Sequence, residues 1–167
     1  EGPIVIPGNN IIQKANPNDL EEAISLIYKA ERPVILAGHG ILLSGASKEV
    51  MELAEIANIP IAWTLLGSGA IPSSHPLNMG MMGMHGEYAV NNAIQKADLL
   101  IACGMRFDDR VTGNVKTYSP DSKKIHIEID PAEINKNVRV DVGISGDLKT
   151  VLKQLNPLLK PKSNENW

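Results

Sequence analysis

The sequence predicts an α/β domain with a mostly parallel sheet and helices on both faces. Two observations carry that prediction. Four segments set apolar residues at i, i+3, i+4 and i+7, the stripe of an amphipathic helix. Between them lie short, nearly continuous apolar runs bounded by turn residues, as expected of parallel strands covered on both faces. This alternation is the layout of a doubly wound, Rossmann-like domain.

In chain order, residues 1–17 read as a lead-in arm or interdomain linker, punctuated by Pro3, Pro7, Gly8, Asn9, Asn10 and Pro17. The domain proper is assigned to residues 18–156. Its first helix carries Leu20, Ala23, Ile24 and Ile27, with Asn18 as N-cap and Glu21 three residues on, a variant of the capping box. A strand over Val34–Ala37 ends at Gly38. The second helix carries Val50, Leu53, Ala54 and Ala57, and the strand Ile61–Thr64 follows Pro60. The third helix carries Val90, Ala93, Ile94 and Ala97, and the strand Leu99–Cys103 ends at Gly104. A fourth strand, Ile125–Ile129, stops at Asp130-Pro131. Val138, Val140, Val142 and Ile144 alternate with polar residues or glycine, which fits either a short edge strand or an extended loop. Gly146-Asp147 opens the last helix, with Leu148, Val151, Leu152 and Leu155. Residues 157–167, with two prolines and several polar residues, read as a tail or linker expected to fray.

Composition narrows the function classes. A chain of 167 residues suits one domain. No apolar run approaches the roughly 20 residues that span a bilayer, so no membrane partner is expected. A net charge of −3 argues against a nucleic-acid partner, which calls for a clustered basic face. The single Cys103 can form no internal disulfide, which fits a reducing compartment. No basic segment followed by an apolar stretch opens the sequence. A signal peptide is therefore not expected, and the expected location is cytoplasmic.

In open parallel sheets, ligands bind beyond the carboxyl ends of the strands. Here those places hold Gly38-His39-Gly40, then Thr64 to Gly69, then Gly104 to Arg110, then Glu128 and Asp130. Glycines let backbone amides approach an anion, and Arg106 and Arg110 carry donors for phosphate oxygens. Glu128 or Asp130 suits a ribose diol. Together these suggest an extended nucleotide with a diphosphate. Each piece also has a plainer reading. Gly38 and Gly40 suit an ordinary strand-to-helix turn and lack the third glycine of Gly-x-Gly-x-x-Gly. The arginines and aspartates suit a surface ion-pair cluster. Asp108-Asp109 without a third acid or histidine does not make a metal site. His126 suits a structural histidine, and the Asn78–Gly86 segment, with four of the six methionines, suits either a wall for a flat aromatic ligand or a filled core gap.

Three stretches carry a resemblance: Gly83-Met84-His85-Gly86, Gly104-Met105-Arg106-Phe107-Asp108-Asp109-Arg110-Val111-Thr112-Gly113, and His126-Ile127-Glu128-Ile129-Asp130. With Ala97-Asp98-Leu99-Leu100 and Ile134-Asn135-Lys136-Asn137, they make the chain from about Arg32 to Leu155 similar to the central domain of acetolactate synthase catalytic subunits, a branch of the thiamine-diphosphate enzymes. The resemblance implies an enzyme that decarboxylates pyruvate and condenses the hydroxyethyl unit with a second 2-ketoacid in branched-chain amino acid biosynthesis. It implies FAD in this domain, and thiamine diphosphate with magnesium in the two outer domains. It also implies a homo-oligomer, the other domains of the same chain as neighbours, and a regulatory subunit. Carried over, Gly40, Thr64 and Leu65 would line the FAD, and Gly83, Met84 and His85 would flank its ring. Gly104, Arg106, Asp108 and Arg110 would meet its diphosphate–ribityl region. Glu128, Ile129, Asp147 and Leu148 would hold the adenosine end. Met84, Asp109 and Arg110 match positions near the family's herbicide-binding channel.

Two departures stand out: His39 replaces a glycine of the usual Gly-Gly, and Glu128 stands where many relatives have aspartate. Neither Gly146-Asp147-Leu148 nor Asn91-Asn92 is the superfamily's magnesium–diphosphate motif, and its activating glutamate belongs to the N-terminal domain. The expectation is therefore that this chain alone is inactive, with no catalytic or metal-ligating residue of its own. The alternatives are the middle domain of another thiamine-diphosphate decarboxylase or ligase, or a free-standing nucleotide-binding module.

Overall fold

A computed structural model describes residues 14–164 and Trp167. The strands are β1 (Pro33–Ala37), β2 (Ile61–Trp63), β3 (Asn78–Met81), β4 (Leu99–Cys103), β5 (Lys123–Glu128) and β6 (Val142–Ser145). All pair in parallel, in the order β3-β2-β1-β4-β5-β6. The helices are α1 (Pro17–Lys29), α2 (Gly40–Ser44), α3 (Ser47–Ala57), α4 (Tyr88–Lys96), α5 (Asp109–Thr112) and α6 (Leu148–Leu155). The doubly wound expectation holds, and strand order reverses across the β1–β4 seam.

Alternate side chains of the central strands feed two separate cores. Ile35, Ala37, Leu99, Ile101 and Cys103 pack with the stripes of α1, α3 and α6. Val34, Leu36, Leu100 and Ala102 pack with Val90 and Ile94 of α4 and with Phe107, Tyr118 and Val138 from loops. Burial on both faces is why these runs read as continuously apolar. β5 differs. Ile125 and Ile127 enter the first core, but Lys124, His126 and Glu128 turn polar groups to the other side and are buried there. Each makes at least one hydrogen bond to nearby chain. Lys124 Nζ donates to Ser119 O (2.9 Å), Ser122 O (3.0 Å) and Ser122 Oγ (3.0 Å).

Cys103 is fully buried, and desolvation pushes its thiol up to about 12. The thiolate is the reactive form. Cys103 is therefore expected to stay unmodified by an aromatic disulfide reagent in the folded chain and to react in denaturant. Reaction of the native protein at the rate of a free thiol would contradict this placement.

Two expectations are corrected, and one strand was not anticipated. The N-cap of α1 is Asn16, not Asn18. Pro17 occupies the first helical position, where its fixed φ and missing N–H are tolerated, and Asn16 Oδ1 accepts from Asn18 N–H at 3.0 Å. The methionine segment contains a strand, β3, beside a register shift between Ile61 and Ala62, with Gly80 at φ +110°. The described part of the C-terminal segment, residues 157–164 and Trp167, is docked rather than frayed. Lys162 N–H donates to Ile56 O (2.9 Å), Lys162 Nζ to Ile27 O and Ala30 O, Asn164 Nδ2 to Ala57 O (2.8 Å), and Trp167 Nε1 to Pro33 O (2.9 Å). The carbonyls ending α1 and α3 lack partners within their own helices, and this segment supplies the donors. Of the two readings for 138–144, residues 142–145 form the edge strand and Val138 and Val140 precede it outside the sheet. The part of the lead-in arm at residues 1–13 lies outside the described residues.

Candidate functional site

The tips of β1, β2, β4 and β5 are laced together by backbone hydrogen bonds. Gly38 N–H donates to Cys103 O (3.0 Å), Gly40 N–H to Gly104 O (2.9 Å), Thr64 N–H to Ala37 O (2.9 Å) and Gly104 N–H to Ile127 O (2.9 Å). The two glycine turns approach so closely that side chains are excluded. A Cβ on Gly40 would lie 2.7 Å from Gly104 Cα, and Gly104 itself holds φ +58°. Above this floor opens a cleft of about 540 Å³.

Every predicted site residue lines that cleft except Gly83, Asp147 and Leu148. Gly83 lies just behind its wall, where a Cβ would meet Arg110 O at 2.7 Å. Asp147 and Leu148 line a smaller adjoining pocket of about 130 Å³ that shares Gly40, Gly104, Glu128 and Ile129 with the cleft. Asp147 caps α6, its Oδ2 accepting from Thr150 N–H (2.9 Å) and from Thr150 Oγ1 (2.8 Å). Thr64 Oγ1 is likewise engaged, accepting from Gly67 N–H at 3.1 Å.

The polar groups divide by place. Arg106 is 62% exposed, with Nη2 3.8 Å from Asp108 Oδ2, so its guanidinium is largely uncommitted. Asp108 Oδ1 is buried with no partner, an acceptor that a ligand hydroxyl would satisfy. Arg110 Nη1 donates to Met84 Sδ at 3.6 Å. Glu128 is nine-tenths buried, and burial raises its carboxyl above the usual range; Ile129 N–H (2.9 Å) and Asp130 N–H (3.4 Å), both donating to Oε1, pull it back. Its Oε2 lies 4.0 Å from His126 Nε2.

His126 is structural. Its Nε2 donates to Met105 O at 2.8 Å, and Phe107 meets the ring edge-on. Nδ1 is buried without a partner, so a second ring proton has nowhere to go, and burial lowers the pKa below 6.5. Below that ordinary value the unfolded chain takes up a proton that the folded chain resists. The stabilisation is thus complete above about pH 6.5 and declines as pH falls from there toward the folded pKa. Denaturant titrations from pH 7.5 to 5 are expected to show a steeper loss for this chain than for His126→Gln; parallel slopes would remove His126 as the cause.

The two readings of the methionine segment divide between its members. Met81, Met82 and Met84 line the cleft, while Met79 and Met82 also pack on the α4-side core. The sequence reading missed Leu43 and placed Leu66 only within the strand-tip stretch Thr64 to Gly69; both line the cleft and are 77% and 64% exposed. Leu43 lies three residues beyond Gly40 and Leu66 directly follows Thr64-Leu65, and that proximity was the available signal. Among the described residues no three His, Cys, Asp or Glu side chains gather to hold a metal ion, and no helix is long and apolar enough to cross a membrane.

A six-stranded parallel sheet in this order, with its cleft over the seam where strand order reverses, is the doubly wound α/β class, in which ligands bind at that position. Within that class the chain belongs to the family of thiamine pyrophosphate enzyme central domains, whose model matches residues 20–155. It is 49% identical over 165 residues to a probable acetolactate synthase large subunit of Methanocaldococcus jannaschii, covering 97% of this chain and 28% of that one. It is 46% identical over 157 residues to an acetolactate synthase of Mycobacterium avium, covering 94% and 25%. It is 44% identical over 162 residues to the acetolactate synthase large subunit of Corynebacterium glutamicum, covering 97% and 26%. The chain thus spans about a quarter of the length of these relatives.

Proposed function

We propose that this chain is the FAD-binding central domain of an acetolactate synthase catalytic subunit. The polypeptide as a whole would decarboxylate pyruvate and join the two-carbon unit to a second 2-ketoacid. The observation that carries the reading is the cleft itself. Two arginines stand on the β4 turn at its centre, a buried carboxylate at one side, methionines and exposed leucines at its rim, and glycine-only contact beneath. The residues fit an extended flavin nucleotide. Arg106 and Arg110 would neutralise the diphosphate, and the unpartnered Asp108 Oδ1 would accept from a polyol hydroxyl. Glu128 would accept from the ribose, while Met84, Leu65 and Leu66 would cover the flat ring.

The acyl-transfer reaction involves no net oxidation or reduction, so the flavin's contribution here is to structure. Thiamine diphosphate supplies the carbanion chemistry when bound, with Mg²⁺, elsewhere in the polypeptide. This chain's own residues bind and orient the flavin and exclude water from it. A homo-oligomer, a regulatory subunit and a cytoplasmic location belong to the same reading; the large-subunit names of the relatives support the second kind of subunit.

The test is the visible absorption spectrum of the complete polypeptide, with chemical identification of the cofactor released on denaturation. FAD is expected; ADP or no nucleotide would move the chain to another branch of the family. The 167-residue chain, given thiamine diphosphate, Mg²⁺ and pyruvate, is expected to form no acetolactate, and product above background would refute its assignment as a partial machine.

A further inference from the structure

The Asn91-Asn92 pair matched no motif in the sequence and stands outside the cleft, yet Asn91 has a defined task. Its carboxamide lies against the backbone of Gly83. Oδ1 accepts from Gly83 N–H at 2.9 Å, and Nδ2 donates to Gly83 O at 2.9 Å. Two bonds to a single residue fix its orientation as well as its position. Gly83 needs such an external hold. It sits at φ +95° with Arg110 O 2.7 Å from where a Cβ would be, so no side chain could stiffen the turn from within. One residue further, Met84 N–H donates to Arg110 O at 2.8 Å and Met84 Sδ accepts from Arg110 Nη1 at 3.6 Å. A continuous series of contacts therefore runs from α4 through Gly83 and Met84 to Arg110. Met84 and Arg110 both line the cleft, whereas Asn91 lines only a cavity of about 260 Å³ behind it.

We propose that Asn91 is a positioning residue. It anchors the Gly83–Met84 wall to α4 and thereby sets where Arg110 stands in the cleft. The proposal rests on the flavin reading for its functional meaning, but its structural content is independent of it. α4 also supplies the control. Gln95, one turn on, makes a bond of the same kind to a different loop, its Oε1 accepting from Ser119 N–H at 2.8 Å, and it does not line the cleft.

The experiment uses the complete polypeptide. Asn91→Asp keeps the acceptor but turns a carboxylate oxygen toward Gly83 O, and Asn91→Ala removes both bonds. Both are expected to weaken FAD binding by roughly tenfold or more, with a changed visible absorption envelope of the bound flavin. Gln95→Ala is expected to leave both unchanged while lowering the melting temperature comparably. Amide hydrogen exchange at Gly83 and Met84, measured without added flavin, is expected to speed up in both Asn91 variants and not in Gln95→Ala. Wild-type exchange at those amides in the Asn91 variants, or equal loss of flavin affinity in Gln95→Ala, would overturn the proposal. A wild-type polypeptide that binds no FAD would overturn the cofactor reading instead, and the exchange measurement would still decide the role of Asn91.

Discussion

Gly38→Ala is expected to destabilise the domain by about 3 kcal/mol or more, at or above the top of the range for forced overpacking. An alanine Cβ there would lie 2.2 Å from Gly104 O, 2.3 Å from Met105 Cβ and 2.6 Å from Met105 Cα. None of these is the far end of a flexible side chain, so relief requires the β1 turn and the β4 turn to separate. That separation would strain the Gly38 N–H to Cys103 O and Gly40 N–H to Gly104 O hydrogen bonds. At roughly 2–4 °C per kcal/mol for a domain of this size, the melting temperature should fall by on the order of 6–12 °C. Calorimetry of the two chains decides it; a shift under a degree or two would mean that the turns are not in contact. The effect needs no ligand. The turn reading of Gly38 and the ligand-approach reading of Gly40 are therefore not rivals, because the packing that forces glycine also builds the floor of the cleft.

Arg106→Ala, in the complete polypeptide, is expected to weaken flavin binding by roughly 2 kcal/mol, about thirtyfold. Arg106 has one carboxylate near it, at 3.8 Å, and most of its guanidinium faces solvent. Removing it should therefore cost the folded protein little and the bound anion much. Flavin titration by fluorescence quenching, beside a thermal melt, separates the two. Unchanged affinity would strip Arg106 of its role, and a matching loss of thermal stability would make it a structural residue. Raised salt should weaken the wild-type complex less than it would a surface ion pair, because a bound diphosphate desolvates the guanidinium.

Much of the architecture was legible because burial leaves a plain imprint on sequence. β1 and β4 are apolar at every position since both their faces are covered, and the helical stripes on α1, α3, α4 and α6 face the sheet. β3 was not legible, because methionine and glycine at positive φ do not look like a strand and only pairing with β2 makes it one. The docked C-terminal segment was hidden for a related reason. Lys162 and Asn164 look like solvated tail residues until the open carbonyls of α1 and α3 are brought beside them. The site followed the same logic. Residues at or just past strand ends could be placed at the cleft from chain order alone, including Arg106, Asp108 and Glu128. Leu43 and Leu66 carry no chemical marker, and the clamp of Asn91 on Gly83 exists only once α4 is folded against the turn.

The central seam pairs Pro33 with Leu99 and Ala37 with Cys103, strands separated by α2, α3, β2, β3 and α4. Parallel pairs need long crossovers, and the closure entropy of those loops comes before any reward from pairing. No hairpin among the described residues offers a local nucleus. On a ribosome, the β1 half must wait for β4 to emerge before its open edge is covered, a topology of the kind that folds slowly. Since the cleft straddles that junction, with Gly40 and Thr64 on one side and Gly104, Arg106 and Glu128 on the other, it exists only once the two halves have paired.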